Sequence, residues 1–251
     1  MTIEESIFNR YLIDENSLLD YVFNSDYVYV TGILNNTFKV IITYIDKKII
    51  GKIIDLSFDE EYTNFRIDKS GEFNLKIKSE YERILLDIRD KACTKRTYIF
   101  DQANRINDYI YLKYKVSPDF PFTSSKYHGV YRNFDGKWFG ILMDIPFEKI
   151  DKEKNGLIEV INVKINPFDK DNLIKIEGIY EAYHMNKKSW ISIILNDTVS
   201  DELIFELIDK SYKLVNKHGT DFSFKNSIKS VARNPIDSSM EGIATIFNKA
   251  I

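Results

Sequence analysis

Lys187 and Lys188 stand side by side in the run Tyr183-His184-Met185-Asn186-Lys187-Lys188-Ser189-Trp190, which combines two cations, an imidazole, a carboxamide and two large rings. Two ammonium groups at the tip of a turn can meet phosphate oxygens, and His184 and Asn186 can add hydrogen bonds beside them. Trp190 offers a ring for stacking. The same residues also fit a plainer role, a register-setting hairpin whose tryptophan buries its ring while its lysines are solvated. Two lysines neutralise few phosphates, so any such binding is weak and strongly salt-dependent, and on the residues alone the plainer role is the simpler one.

Other chemistry is poorly represented. The chain has no Gly-rich phosphate loop, no G-x-S-x-G elbow, no H-E-x-x-H and no dinucleotide fingerprint. His128, His184 and His218 are far apart and share no metal-ligand spacing, and His128 and His218 read as structural or surface residues. The acids Asp59-Glu60-Glu61 are consecutive, so in extended chain they point to opposite faces and read as a solvated loop. A lone cysteine, Cys93, allows neither an internal disulfide nor a Cys-based zinc cluster. The expectation is a protein without catalytic residues, metal or cofactor.

Charge and composition bound the partners. A net charge of −3 and a pI near 5.8 leave no segment basic enough to hold nucleic acid by bulk charge, so a DNA contact needs a local patch. The start Met1-Thr2-Ile3-Glu4-Glu5 is acidic where a secretory leader is basic, and no apolar run reaches the roughly 18–20 residues of a membrane helix. A reduced, cytoplasmic protein without a membrane partner is expected. Apolar content of 44%, including 17 Phe and 16 Tyr, supports a core filled largely by rings.

The elements that must position the basic run follow from periodicity. Apolar spacing over 4–23 is helical, with a break at Asp14-Glu15-Asn16-Ser17. Strand-like runs at 27–34, 37–45 and 49–56 are joined by Asn35-Asn36 and Asp46-Lys47-Lys48, which predicts an antiparallel meander. Helical spacing returns over 73–93, and Lys95-Arg96 closes this first module. A second helix is expected from Thr97 to Lys115, stopped by Pro118. Strands at 127–133 and 137–145 flank the Asp135-Gly136 hairpin signal, and a third covers 157–165. Asn166-Pro167 opens a short helix with Gly178 past its end. Strands at 180–185 and 189–195 then pair across Asn186-Lys187-Lys188, and a helix capped by Thr198 or Ser200 runs over 201–217. The tail 218–251 reads as partly irregular, with a short helix near 240–247.

Several of these pieces, in this order, carry a family resemblance: Phe120-Pro121-Phe122, Arg132-Asn133-Phe134-Asp135-Gly136-Lys137-Trp138-Phe139, Val163-Lys164-Ile165-Asn166-Pro167, the basic run itself, and Asp209-Lys210-Ser211-Tyr212-Lys213-Leu214-Val215. The stretch from Phe120 to Lys217 resembles the MmcQ/YjbR family of small bacterial proteins, described as DNA-binding through a double wing on a CyaY-like fold. The resemblance implies an α+β domain over 97–217, an antiparallel sheet with helices packed on one face, preceded by a second small α+β module at 1–96 of no assignable role. It implies no cofactor and no catalytic residues, and DNA as partner. Its likeness to frataxin-type folds draws attention to Glu202, Glu206 and Asp209 on one helix face, which read as a solvated acidic face.

The working expectation is therefore a non-enzymatic accessory or regulatory protein whose hairpins act as wings. Lys126, Arg132, Lys137, Lys164, Lys187 and Lys188 are the candidates for phosphate contact, with His184, Asn186 and Trp190 beside them. The alternative is a protein- or small-ligand-binding module in which the hairpin is scaffold, with a pocket lined by Tyr183, Trp138 and Trp190. A continuous positive surface joining the tips would favour the first, and a deep apolar pocket the second.

Overall fold

The computed structural model describes residues 1–21, 23–67 and 71–216, and Met1–Val215 form one compact unit. The expected irregular tail, the short helix near 240–247, His218 and the final residue of the last helix lie outside the described residues. The protein is α+β, built on antiparallel sheets with helices.

In the first part, α1 (Ile3–Phe8) is closed by a capping box between Thr2 and Glu5. The expected continuation as helix is corrected: β1 (Tyr11–Ile13) intervenes before α2 (Glu15–Tyr21) and pairs with β6 (Cys93–Lys95). Asp14 sets that start, because its carboxylate accepts the Ser17 N–H at 2.7 Å. The meander is present as β2 (Val28–Ile33), β3 (Phe38–Ile45) and β4 (Lys48–Asp55). Asp46 and Lys47 both adopt positive φ, the two-residue turn that matches strand twist. Two of the three consecutive acids form the short β5 (Glu60–Glu61) on β4. Helix α3 (Glu72–Ala92) lays Ile77, Tyr81, Leu85 and Ile88 against Val40, Ile42 and Ile53 of the sheet.

In the second part, α4 (Asp101–Tyr114) ends at Lys115 in the left-handed conformation. Strands β7 (Gly129–Arg132), β8 (Trp138–Pro146), β9 (Leu157–Lys164), β10 (Ile179–Glu181) and β11 (Trp190–Ile194) form one antiparallel sheet in the order β10-β11-β9-β8-β7. A short helix, α5 (Lys170–Leu173), connects β9 to β10. Helix α6 (Asp201–Val215) is capped by Ser200, whose carbonyl and hydroxyl both serve its first turn. Ile106 and Ile110 of α4 and Ile204, Leu207 and Ile208 of α6 cover one face of the sheet. Asp209 does not add to an acidic ridge: it accepts from Tyr109 and Tyr114 and pairs with Lys113, which ties α6 to α4. The other sheet face is buried under side chains from loops, chiefly Phe122, Phe147, Ile150, Tyr183 and Met185.

Arg10 links the two parts from deep inside. Arg10, 6% exposed, donates to the Thr97 carbonyl at 2.8 Å and to Asp144 at 2.9 Å, lies 3.7 Å from Glu159, and stacks on Tyr127. Burial pushes the Glu159 carboxyl up, although it accepts the Ile99 and Phe100 N–H groups at the entry to α4. Burial also raises Asp144, but the hydrogen bond from His128 and the charge of Arg10 outweigh it and hold that carboxyl below its usual range. His128 is thus a structural residue of this cluster, as expected of it.

Candidate functional site

The register brings the two loops to one end of the sheet. Gly140 opposes Val163, and Trp190 opposes Lys164, so the start of β8, the end of β9 and the start of β11 lie in adjacent rows. The first loop (133–137) joins β7 to β8 and the second loop (182–189) joins β10 to β11, both at this end. With strands about 4.8 Å apart, the two loop centres are about 14 Å apart across the sheet. Lys164 closes β9 between them.

The first loop is a local construction. The Gly136 N–H reaches the Asn133 carbonyl at 2.9 Å, and Gly136 itself sits at φ +75°, a turn followed by a left-handed glycine. The Asn133 carboxamide accepts the Lys137 N–H at 2.8 Å, closing the loop from inside. At its base the ladder shifts register between Tyr131 and Arg132. The carbonyl of Phe139, beside that shift, accepts the buried Ser211 hydroxyl of α6, and the same hydroxyl accepts the Lys164 N–H at 2.8 Å. Ser211 thereby fixes the ends of β8 and β9 together.

The second loop differs from the expected tight turn. Strand β10 stops at Glu181, and His184, expected on that strand, lies in the loop with φ +56°. The reason is a buried polar trio. The Asn162 carboxamide donates to the Tyr183 carbonyl at 2.7 Å, the Ser192 hydroxyl donates to Asn162 at 2.6 Å, and the Tyr183 N–H donates to Ser192 at 2.9 Å. Side chains from β9 and β11 satisfy the backbone of Tyr183, so no further ladder pair is needed there. Asn186 then accepts the Lys188 N–H through its side chain and the Ser189 N–H through its carbonyl, which turns the chain back. Asn162, Ser192 and Ser211 are positioning residues that the sequence reading missed. Their signal was a polar residue set inside otherwise apolar runs, as in Val160-Ile161-Asn162-Val163 and Trp190-Ile191-Ser192-Ile193.

The candidate residues do not all converge. Trp190 is 7% exposed and packs in the sheet, so its ring is not offered for stacking. Lys126 precedes β7, at the opposite end of that strand from the first loop. Arg132 pairs with Asp119 at 3.3 Å and covers the Trp138 ring, Lys137 pairs with Asp135 at 3.7 Å, and Lys187 pairs with Glu181 at 3.0 Å. Glu181 also holds Lys170 at 2.8 Å. Hydrogen bonds from Lys170 and then Lys187 bring its carboxyl down to about 2. Among the described residues, Lys164 and Lys188 are the candidates at this end with no carboxylate partner. His184 and Asn186 are exposed beside them. The positive surface joining the loops is therefore interrupted by three carboxylates.

Of the residues named for the pocket of the alternative reading, Trp190 is buried in the sheet, and Trp138 and Tyr183 pack against the apolar cluster on the sheet's other face. A cleft of about 230 Å³ opens beside α6, lined by Ile165, Asn166, Asp169, Leu173, Leu207 and Lys210 among others. That is below the roughly 300–1,000 Å³ of sites that bury a drug-sized ligand. Among the described residues no cluster of His, Cys, Asp and Glu could hold a metal ion, and no helix is long and apolar enough to cross a membrane.

Comparison with known proteins coincides with this second part. The family model described as YjbR matches residues 112–214. The uncharacterized protein YyaQ of Bacillus subtilis (strain 168) is 36% identical over 103 residues, 41% of this chain and 87% of the relative. A crystal structure of a Pseudomonas syringae protein is 40% identical, covering 44% of this chain and 95% of that one, with a TM-score of 0.43. A solution NMR structure from the same organism is 36% identical, covering 48% and 98%, with a TM-score of 0.44. None of these descriptions indicates an enzyme.

Proposed function

The chain belongs to the YjbR family, and we propose that it is a non-enzymatic module that contacts nucleic-acid phosphates through the two loops at one end of its family-type sheet. The observation that carries this reading is the register, which places both loops and Lys164 at the same end. Lys188 and Lys164 supply unpaired charge, while Arg132, Lys137 and Lys187 add cations whose carboxylate partners compete with phosphate. His184 and Asn186, exposed on the second loop, are placed for hydrogen bonds to sugar or phosphate oxygens. Binding through about two or three phosphates is weak, with a log–log salt slope of about −2 to −3. Residues 1–96 form a separate module in this proposal, docked through Arg10, and the site is cytoplasmic.

The test is a titration of labelled duplex and single-stranded DNA at two salt concentrations. Lys187→Ala with Lys188→Ala is expected to weaken binding and reduce the salt slope by about one. Unchanged affinity and slope in the double variant would remove the wing role from the second loop.

A further inference from the structure

Two phenylalanines stand out at the end of the sheet that carries the loops. Phe134, in the first loop, is 97% exposed, and Phe168, four residues past the end of β9, is 92% exposed. Neither ring belongs to a hydrophobic cluster of the described residues. Each is nevertheless presented by a fixed backbone. Phe134 is held in the turn closed by the Gly136 N–H on Asn133, and Phe168 follows Pro167 in a short 3₁₀ turn whose cap, Asn166, accepts the Phe168 N–H. Phe134 lies in the loop that enters β8 and Phe168 in the turn that follows the end of β9, and these strands pair with Gly140 opposite Val163. Lys164 ends β9 four residues before Phe168, and Lys188 is on the second loop.

We infer that Phe134 and Phe168 are a stacking platform for unpaired bases, so that the ligand of this end of the sheet is single-stranded nucleic acid. The inference rests on the phosphate-contact reading above and names its substrate class. A duplex keeps the faces of its bases inside the stack, whereas a single strand offers a face to every exposed ring, and stacking tolerates any base. It also accounts for how a site with so few free cations holds a polyanion, because the rings add affinity that does not depend on counterion release. Preformed turns keep the ordering cost low.

The experiment compares an oligothymidylate of about a dozen nucleotides with a duplex of the same length, both labelled, by fluorescence anisotropy at low salt. The wild-type chain is expected to favour the single strand, and Phe134→Ala with Phe168→Ala to weaken it by about tenfold or more. Both rings are almost fully exposed, so thermal melting of the variant should match wild type. Phe58→Ala, a 75% exposed ring in the first part of the chain, serves as the surface control and should leave binding unchanged. If duplex binds as well as the single strand and the double variant binds both normally, the stacking platform is overturned while the phosphate reading stands. If the lysine double variant binds normally but the phenylalanine variant does not, the platform stands and the second loop loses its wing role. If neither nucleic acid binds at low salt, both are overturned.

Discussion

The two loops at the common end of the sheet reach the same place by opposite means. The first is held by its own sequence: Asn133 and Gly136, three residues apart, supply both the closing hydrogen bond and the left-handed backbone. The second is held from outside, by Asn162 and Ser192, which lie 21 and 9 residues from Tyr183. A local turn is robust because its partners are always near. A tethered loop can be longer and carry more polar groups, but its shape depends on a buried network that must be fully satisfied.

The largest expected effect is at the tether. Ser192→Ala leaves the Tyr183 N–H and the Asn162 carboxamide oxygen without their partner, at about 1–3 kcal/mol for each buried group left unmatched. Chemical denaturation should show the loss, and amide exchange should show Tyr183 losing protection while Gly136 keeps its own. Equal protection in variant and wild type would mean the trio does not hold the loop.

Gly136→Ala tests the first loop in isolation. No atom lies within 4 Å of the added methyl, so the cost is that of the φ +75° backbone alone, about 1–2 kcal/mol. Amide exchange should now rise at Lys137 and leave Tyr183 unaffected, the mirror of the Ser192 result.

The smallest effect concerns the anchor. Glu181→Gln releases Lys170 and Lys187, and affinity for single-stranded DNA at low salt is expected to rise a few-fold, most of it lost again as salt is added. The pH response has a fixed sign. The folded carboxyl lies at about 2 against an ordinary 4.5, so the stabilisation it gives is present above 4.5 and is lost as pH falls through about 2. Carboxyl NMR titration should place the Glu181 midpoint near the lower value, and a midpoint near 4.5 would show that the two lysines do not hold it in solution.

Much of the fold was legible because its signals are local. The Asp46-Lys47 and Asp135-Gly136 turns, the stripe of α3 and the Ser200 cap are each set by residues a few positions apart, and each element formed within a few residues of its expected bounds. The helix expected through Tyr11 and Leu12 was not legible, because those residues pair with Cys93–Lys95 more than eighty positions away. Trp190 shows the same limit in the site. Its neighbours suggested a tip, but its place in the middle of a sheet beside Lys164 buries it.

The sequence by itself determined the α+β class, the two larger of the three antiparallel sheets and the family, since hydrophobic period, turn chemistry and capping act over a single turn or hairpin. The tertiary structure alone decided which cations are free, which rings are exposed and where the second loop begins. Those properties depend on Asp119, Glu181, Asn162 and Ser192 arriving from other parts of the chain. Burial, ion pairing and satisfaction of buried polar groups are set by neighbours in space, and one-dimensional spacing does not encode them.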